Sequence, residues 1–149
     1  MKPTKTNAGQ QGAVAVEFAL VSILFVTLLM TILGFGHWMY TMEMVADATR
    51  MGARMAVVCD INAAVIKQRI GQTVPQLSLG SAQVSLQYLP AGCTKNTCQS
   101  VSVSLSGASY ASWIPFLPAS LALPPFTTSL PRESLESVDA AGARNPVCS

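Results

Sequence analysis

From Phe18 to Met42 the chain runs for 25 residues without an Asp, Glu, Lys or Arg. A run of 18 or more such residues spans the hydrocarbon core of a bilayer as an α-helix. This one feature forces the rest of the chain into a single-pass architecture. Lys2 and Lys5 precede the run, and no acidic residue occurs before Glu17. Positive residues beside a membrane helix stay on the cytoplasmic side, so the reading places the N-terminus inside and residues beyond about 43 outside. A cleavable signal peptide has an apolar core of about 7–15 residues and a small-x-small site after it. Here the stretch is longer and closes on Phe35-Gly36-His37-Trp38-Met39-Tyr40, with Trp38 and Tyr40 read as an interfacial aromatic belt. The segment is retained as an anchor in the lipid bilayer.

Glu17 stands at the mouth of this run. A carboxylate in hydrocarbon costs a few kcal/mol or more and is a functional hypothesis by default. Elsewhere the chain is sparing with charge, at 11% Asp, Glu, Lys and Arg among 149 residues and a net charge of +2. That balance is too small and scattered for a nucleic-acid partner. With the helix set aside, roughly 100 residues remain, enough for one small domain.

Helical periodicity continues past the apolar run. Met44, Ala48, Met51, Met55 and Val58 repeat at 4-3-4-3 spacing, and Glu43, Asp47, Arg50 and Arg54 lie one residue earlier on the same rhythm. A helix from 13 to 58 is about 69 Å long, roughly twice the bilayer core, and is expected to continue outside the membrane. The Met stripe fits packing against its own domain or against other subunits. Asp47 and Arg50 are spaced to pair at i, i+3.

A shorter helix is expected over Asn62 to Ile70, ended by Gly71 and Pro75. Val84, Leu86 and Tyr88 then alternate with polar residues, as do Val101, Val103 and Leu105 with Ser. These are two strands of an antiparallel hairpin, and Phe126 to Leu130 is a third strand. Four prolines among apolar residues mark Ser112 to Pro125 as an extended covering loop. The tail from Glu133, rich in Ser, Ala and Gly, reads as loose apart from Cys148. The fold class is α+β: a long N-terminal helix followed by a small antiparallel sheet of about three strands, covered by the outer part of that helix. Expected segments are a leader over 1–12, a membrane helix over 13–42, its extension over 43–60, a small α+β domain over 61–132 and a tail over 133–149.

All four cysteines, Cys59, Cys93, Cys98 and Cys148, fall on the outer side, where an even number favours disulfides. Zinc needs thiolate or His spacing that this chain lacks, since its one His lies in the apolar run. Cys93 and Cys98 enclose four residues and join adjacent strands, so they are expected to pair; by elimination Cys59 pairs with Cys148. No P-loop, dinucleotide turn, G-x-S-x-G or second His to partner His37 is present, and the alternating Ser residues make a polar sheet face. The reading is a protein without catalytic residues, cofactor, metal or small-molecule substrate.

The junction is the specific signal. Gly12 is followed by four residues and then Glu17-Phe18, directly before the membrane helix. This resembles the prepilin cleavage signal of type IV pilus-like systems, in the form seen in the Flp, or tight adherence (Tad), branch. Ala13 to Leu20 and Ala46 to Ala56 resemble the two signatures of TadE-like pseudopilins, the second centred on Arg50, Gly52, Ala53 and Arg54. Thr49 stands where that signature carries a second Ala. Phe126 to Glu133, ending in Arg132-Glu133, resembles the family's closing strand.

The resemblance implies a minor pilin-like subunit needed for assembly of a Tad pilus, in the TadE or TadF role. It implies cutting between Gly12 and Ala13 by a prepilin peptidase on the cytoplasmic face. It also implies a bacterial inner-membrane location with the C-terminal domain extracytoplasmic. Its partners are then other Tad pseudopilins, the major pilin and the inner-membrane assembly platform. After cutting, Glu17 is residue five of the mature chain and a partner for the new ammonium of a neighbouring subunit. The rival reading is an uncleaved single-pass protein whose outer domain binds or scaffolds a secretion or adhesion complex.

Overall fold

A computed structural model describes residues 8–77, 83–112 and 118–149. Helix α1 runs from Ala8 to Val58, and α2 from Ala64 to Thr73. The strands are β1 (Val84–Leu89), β2 (Ser100–Leu105), β3 (Ser109–Ala111), β4 (Ser120–Ala122) and β5 (Phe126–Pro131). The fold is α+β, as its alternating strand patterns and long apolar helix indicate. Residues 1–37 and 38–149 form two compact units.

In the first unit the helix is apolar on every side. Val14, Phe18, Leu24 and Phe25 are among many side chains left exposed, and the span from Gly12 is long and apolar enough to cross a membrane. A helix hydrophobic all round belongs in a protein core or in a bilayer, and this one has the length and composition of a bilayer span. Lys2 and Lys5, on which the orientation rests, lie outside the described residues.

In the second unit, β1, β2 and β5 form an antiparallel sheet in the order β1-β2-β5. The central strand has a clean division of faces. Val101, Val103 and Leu105 are buried, while Ser100, Ser102 and Ser104 face outward. Behind that inner face lie Ile66 and Ile70 of α2 and the outer part of α1, all within one core.

The face of α1 that meets this core includes Ala48 and Met55 of the Met stripe, both buried. It is centred about one residue further along, at Val45, Thr49, Gly52, Ala56 and Cys59. One residue is about 100° of helix rotation. Met44, Met51 and Val58 are left half-buried at the flank. The reason is steric: a helix approaches its neighbours closely only where its side chains are short. At Gly52 an added Cβ would lie 2.8 Å from Ile70 Cγ1, with Cδ1 nearer still, and 3.6 Å from Val103 Cγ1.

Other expectations shift at their edges. The second helix begins at Ala64 rather than Asn62, because Asn62 sits in the left-handed region at φ 60° and cannot start a helix. It passes through Gly71 and ends at Thr73, with Pro75 opening a short 3₁₀ turn. The stretch expected as a covering loop holds β4, which pairs with β3 as a two-stranded ribbon carrying buried Tyr110. Residues 113–117 of that stretch lie outside the described residues. Trp38 is half-buried against the core of the second unit, whereas Tyr40 is exposed.

The tail is ordered, contrary to its loose composition. Leu135 is 1% exposed and held at φ 49°, a conformation unusual for a bulky residue. The backbone N–H groups of Glu133 and Leu135 donate to the carbonyl of Val57 (both 3.2 Å), and that of Glu136 to Val58 (2.9 Å). The Ser134 hydroxyl adds a bond to Val58 O at 3.1 Å. The last carbonyls of a helix have no partner inside it. Here the tail supplies them, so α1 needs neither Gly nor Pro to stop.

The close approach at Gly52 sets a test. Gly52→Ala gains about 1 kcal/mol of helix propensity but overpacks the core at a cost of about 1–3 kcal/mol. The expected net is a loss of about 1 kcal/mol, with Gly52→Val clearly worse because two further methyls meet Ile70. Thermal unfolding of the solubilised chain followed by circular dichroism reads both, and a Gly52→Val protein as stable as the parent refutes the account.

Candidate functional site

Gly12, Ala13, Glu17 and Phe18 all lie within α1, in the unit of residues 1–37. A Cβ built on Gly12 meets nothing within 4 Å. Among the described residues nothing packed on that position requires glycine, and in a helix interior it costs up to about 1 kcal/mol relative to Ala. Glu17 is exposed, five positions on, and has no ion-pair partner among the described residues. Phe18, beside it, is 73% exposed.

The second signature belongs to the unit of residues 38–149 and divides between two faces of α1. Gly52 and Ala53 are buried, Gly52 against Ile70 and Val103. Arg50 and Arg54 are exposed on the other side. Arg50 Nη1 donates to Asp47 Oδ1 at 2.9 Å, the i, i+3 pair expected from the spacing. Thr49, the departure from the family's Ala, is buried and donates to the carbonyl of Ala46 at 2.8 Å. Its hydroxyl also lies 3.4 Å from that of Thr128 on β5, which ties helix to sheet.

The cysteines form two disulfides, Cys93–Cys98 within the turn between β1 and β2 and Cys59–Cys148 across a sequence separation of 89 residues. The second joins the end of α1 to the end of the chain. Around it the tail makes contacts that sequence reasoning missed. Asp60 N–H donates to Ser137 Oγ at 3.0 Å, and Ser137 N–H returns a bond to Asp60 Oδ1 at 3.2 Å. Arg132 Nη1 donates to the carbonyl of Lys95 at 2.6 Å, and the Lys95 ammonium pairs with Glu136. The bond to Glu136, and its negative charge, raise the Lys95 pKa. The tail thus holds both the helix end and the disulfide turn. Only Cys148 signalled this in the sequence. Tyr88 is a further polar anchor: its hydroxyl accepts the Asn62 N–H at 3.1 Å, and burial raises its pKa.

No group of three or more His, Cys, Asp or Glu residues arranged to hold a metal occurs among the described residues. With the geometry in hand, the comparison with protein families is specific. Residues 12–54 match the TadE-like protein family. The match begins at Gly12 and ends at Arg54, so it takes in both the junction and the helix signature. No curated protein and no solved structure matches the chain. The TadE-like family is one of structural components associated with Tad pili rather than of enzymes, and it implies contact with other components of those pili. The match is a likeness over residues 12–54 of the 149, and α1 is long and apolar enough to cross a membrane.

The two disulfides differ in the unfolded chain they restrain. On the loop-entropy account the 89-residue closure stabilises by about 4–5 kcal/mol and the five-residue closure by about 2 kcal/mol. Replacing Cys59 and Cys148 by Ser is therefore expected to lower the unfolding midpoint more than replacing Cys93 and Cys98. It should also speed amide exchange at Glu133, Leu135 and Glu136, whose N–H groups cap α1. Equal midpoints, or unchanged exchange in the tail, contradict this assignment.

Proposed function

We propose that this chain is a minor pseudopilin of a Tad-type pilus, cut between Gly12 and Ala13 by a prepilin peptidase and then assembled with other pilus subunits. The observation that carries the reading is the pairing of two features that the chain itself does not explain. Gly12 occupies a helix position where no neighbour demands glycine, and Glu17 follows it at five residues as the first charge of an otherwise apolar span. A peptidase that reads the small residue at its cleavage point accounts for the first. An ammonium created at Ala13 accounts for the second.

In this reading residues 1–12 are the cytoplasmic leader, 13–42 cross the bacterial inner membrane, and the domain that follows is extracytoplasmic. Cutting removes Lys2 and Lys5 and leaves a new positive end at Ala13. Glu17 is one helical turn away and is favoured near its own helix N-terminus by the backbone dipole. Among packed apolar helices an isolated carboxylate needs a cation, and the ammonium of a neighbouring subunit supplies one. Other pseudopilins, the major pilin and the inner-membrane assembly platform are the partners in this scheme. The disulfides suit the oxidising side of the membrane.

Processing and assembly separate in experiment. The mature chain is expected to begin at Ala13, and Gly12→Ala or a bulkier replacement is expected to block cutting. N-terminal sequencing from cells containing the peptidase decides this, and a mature chain that still carries Lys2 returns the protein to the uncleaved scaffold reading. Glu17→Gln is expected to leave cutting and insertion intact while co-purification with pilus components and surface piliation fall. The loss is on the order of 3–5 kcal/mol for a fully buried pair, shrinking to about 0–1 kcal/mol where water reaches it. Normal piliation in that strain removes the ammonium pair, and failed cutting moves the role of Glu17 to peptidase recognition.

A further inference from the structure

The face of α1 turned away from the domain core carries Glu43, Asp47, Arg50 and Arg54, all exposed. Their 4-3-4 spacing keeps them on one stripe, on the side of the helix opposite the buried face of Val45, Thr49, Gly52 and Ala56. The order of charge along the stripe is two negatives followed by two positives. Among the described residues only the central pair of the stripe is joined, Asp47 to Arg50, and it is exposed. Glu43 and Arg54 have no ion-pair or hydrogen-bond partner among the described residues. Of the four signature residues, Gly52 and Ala53 are accounted for by packing and Arg50 by Asp47. Arg54 lies at the rim of a shallow cleft beside Leu130, Pro131 and Glu133 but makes no ion pair or hydrogen bond among the described residues.

Arg50 lies seven residues after Glu43, and Arg54 seven after Asp47. Seven residues are almost two full turns, about 10.5 Å along the axis. Two copies of the stripe laid side by side in the same direction and displaced by that amount bring Arg50 of one copy to Glu43 of the other, and Arg54 to Asp47, simultaneously. In register, the same two stripes place like charge on like charge. The helix runs without interruption from Ala8 to Val58, and copies inserted in one membrane enter it in the same sense, so the stripes share a direction. We propose that this stripe is a docking surface for a second copy of the same chain, with the two helices parallel and displaced by two turns. The inference rests on the membrane-anchored reading but not on cutting at Gly12.

The test uses full-length chains carrying two different tags, expressed together, extracted in mild detergent and purified through one tag. Glu43→Lys is expected to reduce recovery of the second tag by at least about threefold, an effect of the size expected for exposed ion pairs. Glu43→Lys with Arg50→Glu is expected to restore it, whereas Glu43→Lys with Arg54→Glu is not. Recovery of the parent pair should fall as salt rises from about 0.1 M to about 1 M, where the screening length drops from about 10 Å to about 3 Å. Sequencing the N-terminus and fractionating the membranes of each variant keeps a processing or insertion defect apart from a docking defect. The proposal is overturned by Glu43→Lys having no effect, or by no self-association of the parent. Rescue by Arg54→Glu overturns it too, since that marks antiparallel pairing, as does charge-dependent recovery of other pilus components without self-association.

Discussion

The short distance between α1 and the layers behind it governs the domain of residues 38–149. A sheet of three strands has one face to cover, and here a single helix and the shorter α2 must cover it. Gly52 lets Ile70 and Val103 reach the helix backbone, and Ala48, Ala53 and Ala56 keep the neighbouring turns equally low. With larger residues on that face the sheet would stand off, and the inward row of Val101, Val103 and Leu105 would face a gap. Interiors tolerate such gaps poorly because unmatched surfaces lose their dispersion contacts. Glycine in a helix is a local cost that this contact offsets.

The same closeness explains why the tail matters. A helix ending inside a small domain leaves several carbonyls without partners, and burying them unpaired costs about 1–3 kcal/mol each. The N–H groups of Glu133, Leu135 and Glu136 take that place, and the Cys59–Cys148 disulfide fixes the segment that carries them. Arg132 and Glu136 then hold the turn closed by Cys93–Cys98 through Lys95. The first and last elements of the outer domain are thereby joined, and the hairpin between them is secured from the same strip of chain.

Much of this was legible in the residues and some of it was not. The strand at Ser100–Leu105 was plain because strict Ser and aliphatic alternation admits one reading. The long apolar helix was plain because 25 residues run without charge, enough to cross a membrane. The buried face of α1 keeps Ala48 and Met55 of the predicted stripe, but its centre was misplaced by about one residue. Periodicity follows the larger apolar side chains and takes no account of Thr49, Gly52 and Ala56, which are buried as well. The tail was misjudged because its cap bonds use backbone N–H groups, which every residue but proline carries and no pattern reveals. Leu135 alone supplies its apolar anchor, and a single leucine among Ser, Ala and Gly has no period to read. At the junction the residues were legible as a motif, while the geometry adds why they matter.

That addition comes from setting two glycines of one helix side by side. At Gly52 a Cβ would collide with Ile70, so the residue is required by the fold and its absence would be felt as instability. At Gly12 a Cβ would meet nothing, so the fold is indifferent and the same residue type has no internal justification. Gly36 and Gly71, both helical, likewise meet nothing within 4 Å, so what sets Gly12 apart is its place five residues before Glu17. On the charged side of α1, Arg50 has Asp47, but Glu43 and Arg54 make no ion pair or hydrogen bond among the described residues. One face of the helix is shaped by its own domain. The opposite face carries exposed charges, and the junction at Gly12 has no packed neighbour among the described residues.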